Sequence, residues 1–303
     1  MPTDQIPAVP IHPNDQTFGE SGETNVLPSP IEANFSNPMF VPASLLLWLL
    51  SILAVFILPA MVALPYILFR YRGVSNVAQS MSTDPTVLLL TVIGVIPAHI
   101  LTFVGAWAVV TRWRRRPFWR TIGWSFGPTW GFWPSVGLAI ALYFVGAILA
   151  KLIGGEPTDI DILVNSSFAV RLLLAVVATT SGPLVEEIVY RGILYPSLQR
   201  RIGMAWSIVL VSFLFAFIHV YQYRNSLGVI TVIFVLSISL TLVRAFTGRL
   251  LPCFIVHMVF NGIQSVLIVA QPYFEYLKTG TQPKTSMVML WQLAQLFTFT
   301  HGL

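Results

Sequence analysis

Seven separate runs of apolar residues, at roughly 41–69, 86–111, 134–152, 168–199, 204–223, 226–246 and 250–271, limit what this chain can fold into. Each is about the length needed to cross a hydrocarbon layer some 30 Å thick, for which about 20 helical residues suffice. Within such a layer a backbone N–H or C=O has no water to bond, so a spanning segment must satisfy its own polar groups by coiling into an α-helix. Composition agrees: 55% of the residues are hydrophobic and 10% charged, against roughly 25% charged in ordinary soluble domains. A weaker apolar stretch at roughly 286–299 offers an eighth span or an interfacial helix. The expected fold is all-α, a polytopic transmembrane bundle of seven or eight spans. Pro59 and Pro65 are expected to kink the first span and Pro97 the second, because each removes a backbone donor. With no internal repeat or heptad pattern, residues 41–303 read as one membrane domain.

Charge is unevenly placed. Residues 1–40 hold Asp4, Asp15, Glu20, Glu23 and Glu32, no Lys or Arg, and many Pro, Ser, Thr and Asn. Such a segment buries too little apolar area to offset its ordering entropy, so it reads as a flexible acidic tail. It also lacks the basic region and apolar stretch of a signal peptide. Arg112, Arg114, Arg115, Arg116 and Arg120 alternate with Trp113 and Trp119 beside an apolar run, which marks a membrane interface and not a nucleic-acid surface. If that loop is cytoplasmic and the spans alternate, nine Lys and Arg fall on its side and six on the other, setting aside Arg191 and Arg171. The positive-inside rule then puts the acidic tail in the cytoplasm. Cys253 is alone, so no internal disulfide forms.

Against this apolar background a few polar residues stand out. The fourth run contains Glu186, Glu187 and Arg191, each costing about 2.5 kcal/mol or more at a helix centre unless compensated. Glu187 and Arg191 are four apart and share a helix face, so they are expected to pair and to be structural. Glu186 points about 100° away and is free to face something else. The fifth run contains His219, and the seventh contains His257 and Asn261, again four apart on one face. For straight helices, Glu186, His219 and Asn261 lie at depths of roughly 21, 22 and 17 Å, with His257 shallower at roughly 10 Å. His99, near Pro97, has no evident partner and reads as a packing residue. Tyr190, one turn after Glu186, could line a pocket, but packing is the commoner role of such a residue.

Glu186-Glu187-x-x-x-Arg191, Phe215-x-x-x-His219 and His257-x-x-x-Asn261, in that order on three helices, resemble the three motifs of the CAAX protease and bacteriocin-processing family. That family includes the type II CAAX prenyl endopeptidases and many bacterial membrane proteins. The resemblance covers roughly 168–272. It implies an intramembrane protease of a bacterial cell membrane, acting on a membrane-delivered peptide that is prenylated for the best-known relatives, with Glu186, His219, His257 and Asn261 catalytic. Chemistry permits the same division of labour. Glu186 with His219 can activate a water, and Asn261 with His257 can donate hydrogen bonds to the oxyanion that develops on the carbonyl.

Zinc is the chemical competitor, since two His and a Glu satisfy a catalytic zinc ion. Asn261 is a poor zinc ligand and no HExxH helix is present, so metal-free, cofactor-free chemistry is expected. Two other functions compete. A proton-coupled transporter uses intramembrane Glu, His and Arg as a relay, but favours duplicated halves that are not seen here. A catalytically silent scaffold or immunity-type protein is poorly separated by sequence, and the motif side chains, all intact, give no sign of loss.

Overall fold

The computed structural model describes residues 40–279. The acidic tail and the apolar stretch at 286–299 lie outside the described residues. Among the described residues the regular structure is helical throughout, and the chain is a polytopic helical membrane bundle. The first pair of long helices is α1 (Phe40–Arg70) and α3 (Pro85–Thr111), joined through the short α2 (Val77–Ser82). Asp84 starts α3 as its N-cap, accepting from the backbone N–H groups of Thr86 at 2.7 Å and Val87 at 3.4 Å, with Pro85 following where its missing N–H costs nothing. A short α4 (Phe118–Thr121) leads to α5 (Phe132–Ile153) and α6 (Asp159–Ser166). Next come α7 (Phe168–Thr179), α8 (Ser181–Glu187), a π-helical segment (Ile188–Leu194), α9 (Tyr195–Tyr223), α10 (Leu227–Thr247) and α11 (Leu251–Thr279).

Among the described residues six helices are long and apolar enough to cross a membrane, and one of them, Phe168–Tyr223, has 56 residues. Drawn out straight, that stretch would be roughly 84 Å long, far beyond one hydrocarbon layer. It does not run straight. Gly203 adopts φ 78°, ψ 171° inside α9, a conformation open to glycine for want of a Cβ. The chain folds back there, so that Phe215 meets Tyr190 edge-on with ring centroids 5.1 Å apart. The hairpin covers the fourth and fifth apolar runs of the sequence. A second break falls at Thr180, between α7 and α8, where Pro183 lacks the N–H that would bond the Thr179 carbonyl. Pro59, Pro65 and Pro97, expected to kink their helices, sit inside helices that continue through them.

Packing then gathers the functional segment in the middle. α1 lies along α3, and the approach is close enough that a Cβ on Gly94 would collide with the Pro59 backbone. Buried Phe40, Leu47, Ala106, Val110, Phe118 and Ile122 join α1, α3 and α4 to Ile188 and Ile193 of the π segment and to Leu250. α11 packs on α5, α7, α8 and α10, with Ala139, Leu236, Leu240, Cys253, Val256 and Phe260 filling one seam. Outward faces stay apolar, as at Leu46, Phe69, Phe144 and Trp206, which suits hydrocarbon where water would make it a liability.

Candidate active site

Every residue of the π segment is buried. π turns interrupt α-helices most often at functional positions, and this one begins directly after Glu186 and Glu187. Adjacent in sequence, the two carboxylates meet different surroundings. Glu187 is fully buried and accepts from Arg191 Nη1 at 2.9 Å, the expected ion pair. Arg191, also fully buried, spends its other donors on α10: Nε on Thr241 Oγ1 at 3.2 Å, Nη2 on the Ser237 carbonyl at 3.0 Å and on Ser237 Oγ at 2.6 Å. Its guanidinium lies 4.6 Å from the centroid of the Phe215 ring. A buried charge is tolerable when paired and hydrogen-bonded in this way.

Glu187 does more than pair with Arg191. The same Oε1 stands 2.9 Å from His257 Nδ1, and an ionised carboxylate only accepts, so Nδ1 carries the hydrogen. His257 Nε2 therefore turns to the other glutamate, 3.7 Å from Glu186 Oε2, beyond direct hydrogen-bond length. His257 is thus the link between the two carboxylates. The straight-helix depths set His257 apart from Glu186 by about two turns, yet its side chain reaches within 3.7 Å of the Glu186 carboxylate.

Glu186 keeps 28% of its side-chain surface accessible. His219 is half-buried and donates Nδ1–H to the Phe215 carbonyl at 2.8 Å, which leaves Nε2 as the acceptor of the neutral ring. Its ring sits 4.9 Å from that of Phe215, and His257 lies 5.9 Å from the same ring, so Phe215 is a shared platform for both imidazoles and Arg191. Asn261 gives one amide hydrogen to the Ala178 carbonyl at 2.9 Å, an acceptor exposed by the break at Thr180. Below it Thr179 Oγ1 donates to Ser265 Oγ at 2.9 Å. Among the described residues, neither His219 nor Asn261 hydrogen-bonds Glu186 directly, and no three His, Cys, Asp or Glu side chains stand together as a metal site.

Several contributors escape a reading by motif. Ser237 and Thr241, four apart in an apolar span, carry the signal of a polar stripe on α10. Trp48 Nε1 on α1 donates to Tyr190 Oη at 2.9 Å, and His99 Nδ1 on α3 lies 3.0 Å from Ser181 Oγ. His99 is therefore partnered, contrary to the sequence expectation.

Residues 168–263 match a family model described as Type II CAAX prenyl endopeptidase Rce1-like. The match begins with α7 and ends two residues after Asn261, so it contains all three motifs and neither Trp48 nor His99. No curated protein and no solved structure matches the chain.

Proposed function

We propose that the protein is an intramembrane endopeptidase, of the type II CAAX prenyl kind, that hydrolyses a peptide bond with Glu186 as general base. The observation that carries this reading is the asymmetry of the glutamates: Glu187 is fully buried and ion-paired through Oε1 with Arg191 and His257, while Glu186 stays accessible with an imidazole nitrogen 3.7 Å away. A water between Glu186 and the scissile carbonyl would lose a proton to the carboxylate as its oxygen bonds the carbonyl carbon. Glu186 would then pass that proton to the departing amine nitrogen. His219, with Nδ1 committed to Phe215, has Nε2 for orienting the water. Asn261 retains a second amide hydrogen for the oxyanion, and His257 supplies positive character beside it.

Metal-free chemistry fits His257, whose two ring nitrogens already face two carboxylates, and Asn261, a poor zinc ligand. The substrate is read as a lipid-modified peptide delivered from within the membrane, prenylated as in the resembled family, and the setting as a bacterial cell membrane. Purified protein is to be incubated with farnesylated peptides, their unmodified forms, and peptides from membrane proteins, before and after verified metal removal. Cleavage of a farnesylated peptide that survives metal removal is the expected result. Failure to cut any peptide overturns the protease reading, and loss of cutting on metal removal reassigns the chemistry to zinc.

A further inference from the structure

Five guanidinium groups, those of Arg112, Arg114, Arg115, Arg116 and Arg120, gather between the end of α3 and the end of α4. Their counter-charge is not local. The sequence holds no Asp or Glu between Asp84 and Glu156. Asp84 precedes α3 and Glu156 follows α5, so both lie a full helix length, roughly 30–40 Å, from this loop. Among the described residues Arg114, Arg115, Arg116 and Arg120 make no ion pair with a carboxylate.

The backbone gives the cluster a defined shape. Arg112, Trp113 and Arg114 are successive residues at φ 47°, 56° and 72°, left-handed conformations that a side chain makes costly. Hydrogen bonds hold the turn: the Trp113 N–H donates to the Ala108 carbonyl at 3.3 Å, the Arg114 N–H to Thr111 Oγ1 at 3.1 Å and the Arg116 N–H to the Thr111 carbonyl at 3.1 Å. Trp113 is left 79% exposed, the Arg114 guanidinium lies back 6.0 Å from the Trp107 ring centroid, and Arg116 is partly buried. Arg116 Nη1 is enclosed by protein and meets no acceptor. A buried donor without an acceptor is rare in a folded protein and calls for a partner.

We infer that this loop is a binding site for an anionic phospholipid, whose phosphate accepts from Arg116 and the exposed guanidinium groups while its acyl chains lie along α1 and α3. The two non-bridging oxygens of a phosphodiester match the paired donors of a guanidinium, and a net-negative headgroup supplies the charge that the loop lacks. Exposed Trp113 and Trp119 suit the headgroup level. Toward the hydrocarbon from them, Leu46 and Leu50 of α1 and Leu101 and Val104 of α3 are all exposed, an apolar lane for the chains. The rival occupant is the acidic segment 1–39, since Phe40 joins the buried cluster that contains Phe118. Its five carboxylates are spread from Asp4 to Glu32, whereas the headgroup layer offers phosphate on every side of the loop, which favours the lipid. The same cluster includes Ile188 and Ile193, so a lipid that fixes the loop also braces the π segment.

The test counts lipids bound to the full chain in neutral detergent by native mass spectrometry, with phosphatidylglycerol and phosphatidylcholine added at equal concentration. Wild type is expected to retain phosphatidylglycerol in preference to phosphatidylcholine, and added salt to weaken that preference. One Lys or Arg near an anionic surface is worth about fivefold in affinity. Arg116→Gln is expected to lower phosphatidylglycerol affinity by at least that factor and to leave phosphatidylcholine unchanged. Arg115→Gln, at an exposed side chain, is expected to lower it about fivefold and covers the case in which Arg116→Gln does not fold. Arg72→Gln, just past the far end of α1, is expected to change nothing. No preference for phosphatidylglycerol in wild type, or equal losses in Arg72→Gln and the loop variants, overturns the inference. So does a preference that appears only when the five carboxylates of the acidic segment are changed to amides, which assigns the loop to that segment. Displacement of the lipid by inorganic phosphate also overturns it and assigns the loop to a soluble anion. The measurement needs no peptide cleavage, so its outcome is independent of the protease reading.

Discussion

Glu186 and Glu187 are neighbours in sequence, and the two halves of the site they open into are built on opposite terms. On the Glu187 side Arg191, Ser237, Thr241 and His257 surround a carboxylate with no exposure to solvent. On the Glu186 side the carboxylate is part-exposed, and His257 approaches only to 3.7 Å. A rotation of about 100° per residue is enough to make this division. A buried, ion-paired carboxylate is committed to the fold; a part-exposed one without a direct partner keeps capacity for a substrate. His257 belongs to both halves, bonded by Nδ1 to the closed one and facing the open one with Nε2.

Substitutions can break or sharpen this contrast. The largest effect is expected on the closed side. Arg191→Met leaves Glu187 buried without its principal counter-charge, at a cost of about 3–5 kcal/mol, read as loss of folded protein or a marked fall in the detergent unfolding midpoint. A midpoint equal to wild type would remove the distinction between the halves. Asn261 stands at the boundary, with one amide hydrogen on Ala178. Asn261→Leu is expected to lower kcat about 10²–10³-fold if its other hydrogen meets the oxyanion, alongside about 1 kcal/mol of lost stability. Lost stability with kcat intact would move Asn261 wholly into the closed half.

The smallest effect lies at the far end of α3 and serves as a control. Burial alone would raise Asp84, but hydrogen bonds from Tyr71, the Thr86 and Val87 N–H groups and Tyr66 outweigh it and hold the carboxyl below its usual range. The stabilisation is then full above the ordinary carboxylate pKa near 3.9 and is lost as pH falls through the lowered folded value. Asp84→Ala is expected to cost about 1 kcal/mol near neutral pH, with the two proteins converging in unfolding midpoint under strong acid. A gap that persists in acid would show that the cap works by some means other than the carboxylate's charge.

Much of this was legible from residue spacing. Apolar run lengths place the long helices, because a bilayer dictates the length of its spans, and the i, i+4 spacing of Glu187 and Arg191 encodes their pairing. What spacing does not carry is the path between helices. Spacing does not encode the π winding at Ile188–Leu194 or the turn at Gly203, nor how far the His257 side chain reaches toward Glu186, to 3.7 Å. Ser237 and Thr241 gave only a weak polar stripe, since hydroxyls in membrane helices commonly bond their own backbone. His99 and Trp48 come from spans distant in sequence, and only the packing of α1 and α3 against the α7–α9 region brings them in.

The division between the two glutamates is tested most directly by Glu186→Gln, assayed in one preparation for peptide cleavage and for thermal unfolding. Loss of the general base is expected to slow cleavage about 10²–10⁴-fold while the unfolding midpoint stays at the wild-type value. Cleavage retained near the wild-type rate would contradict the account, as would a collapse in stability like that expected of Arg191→Met.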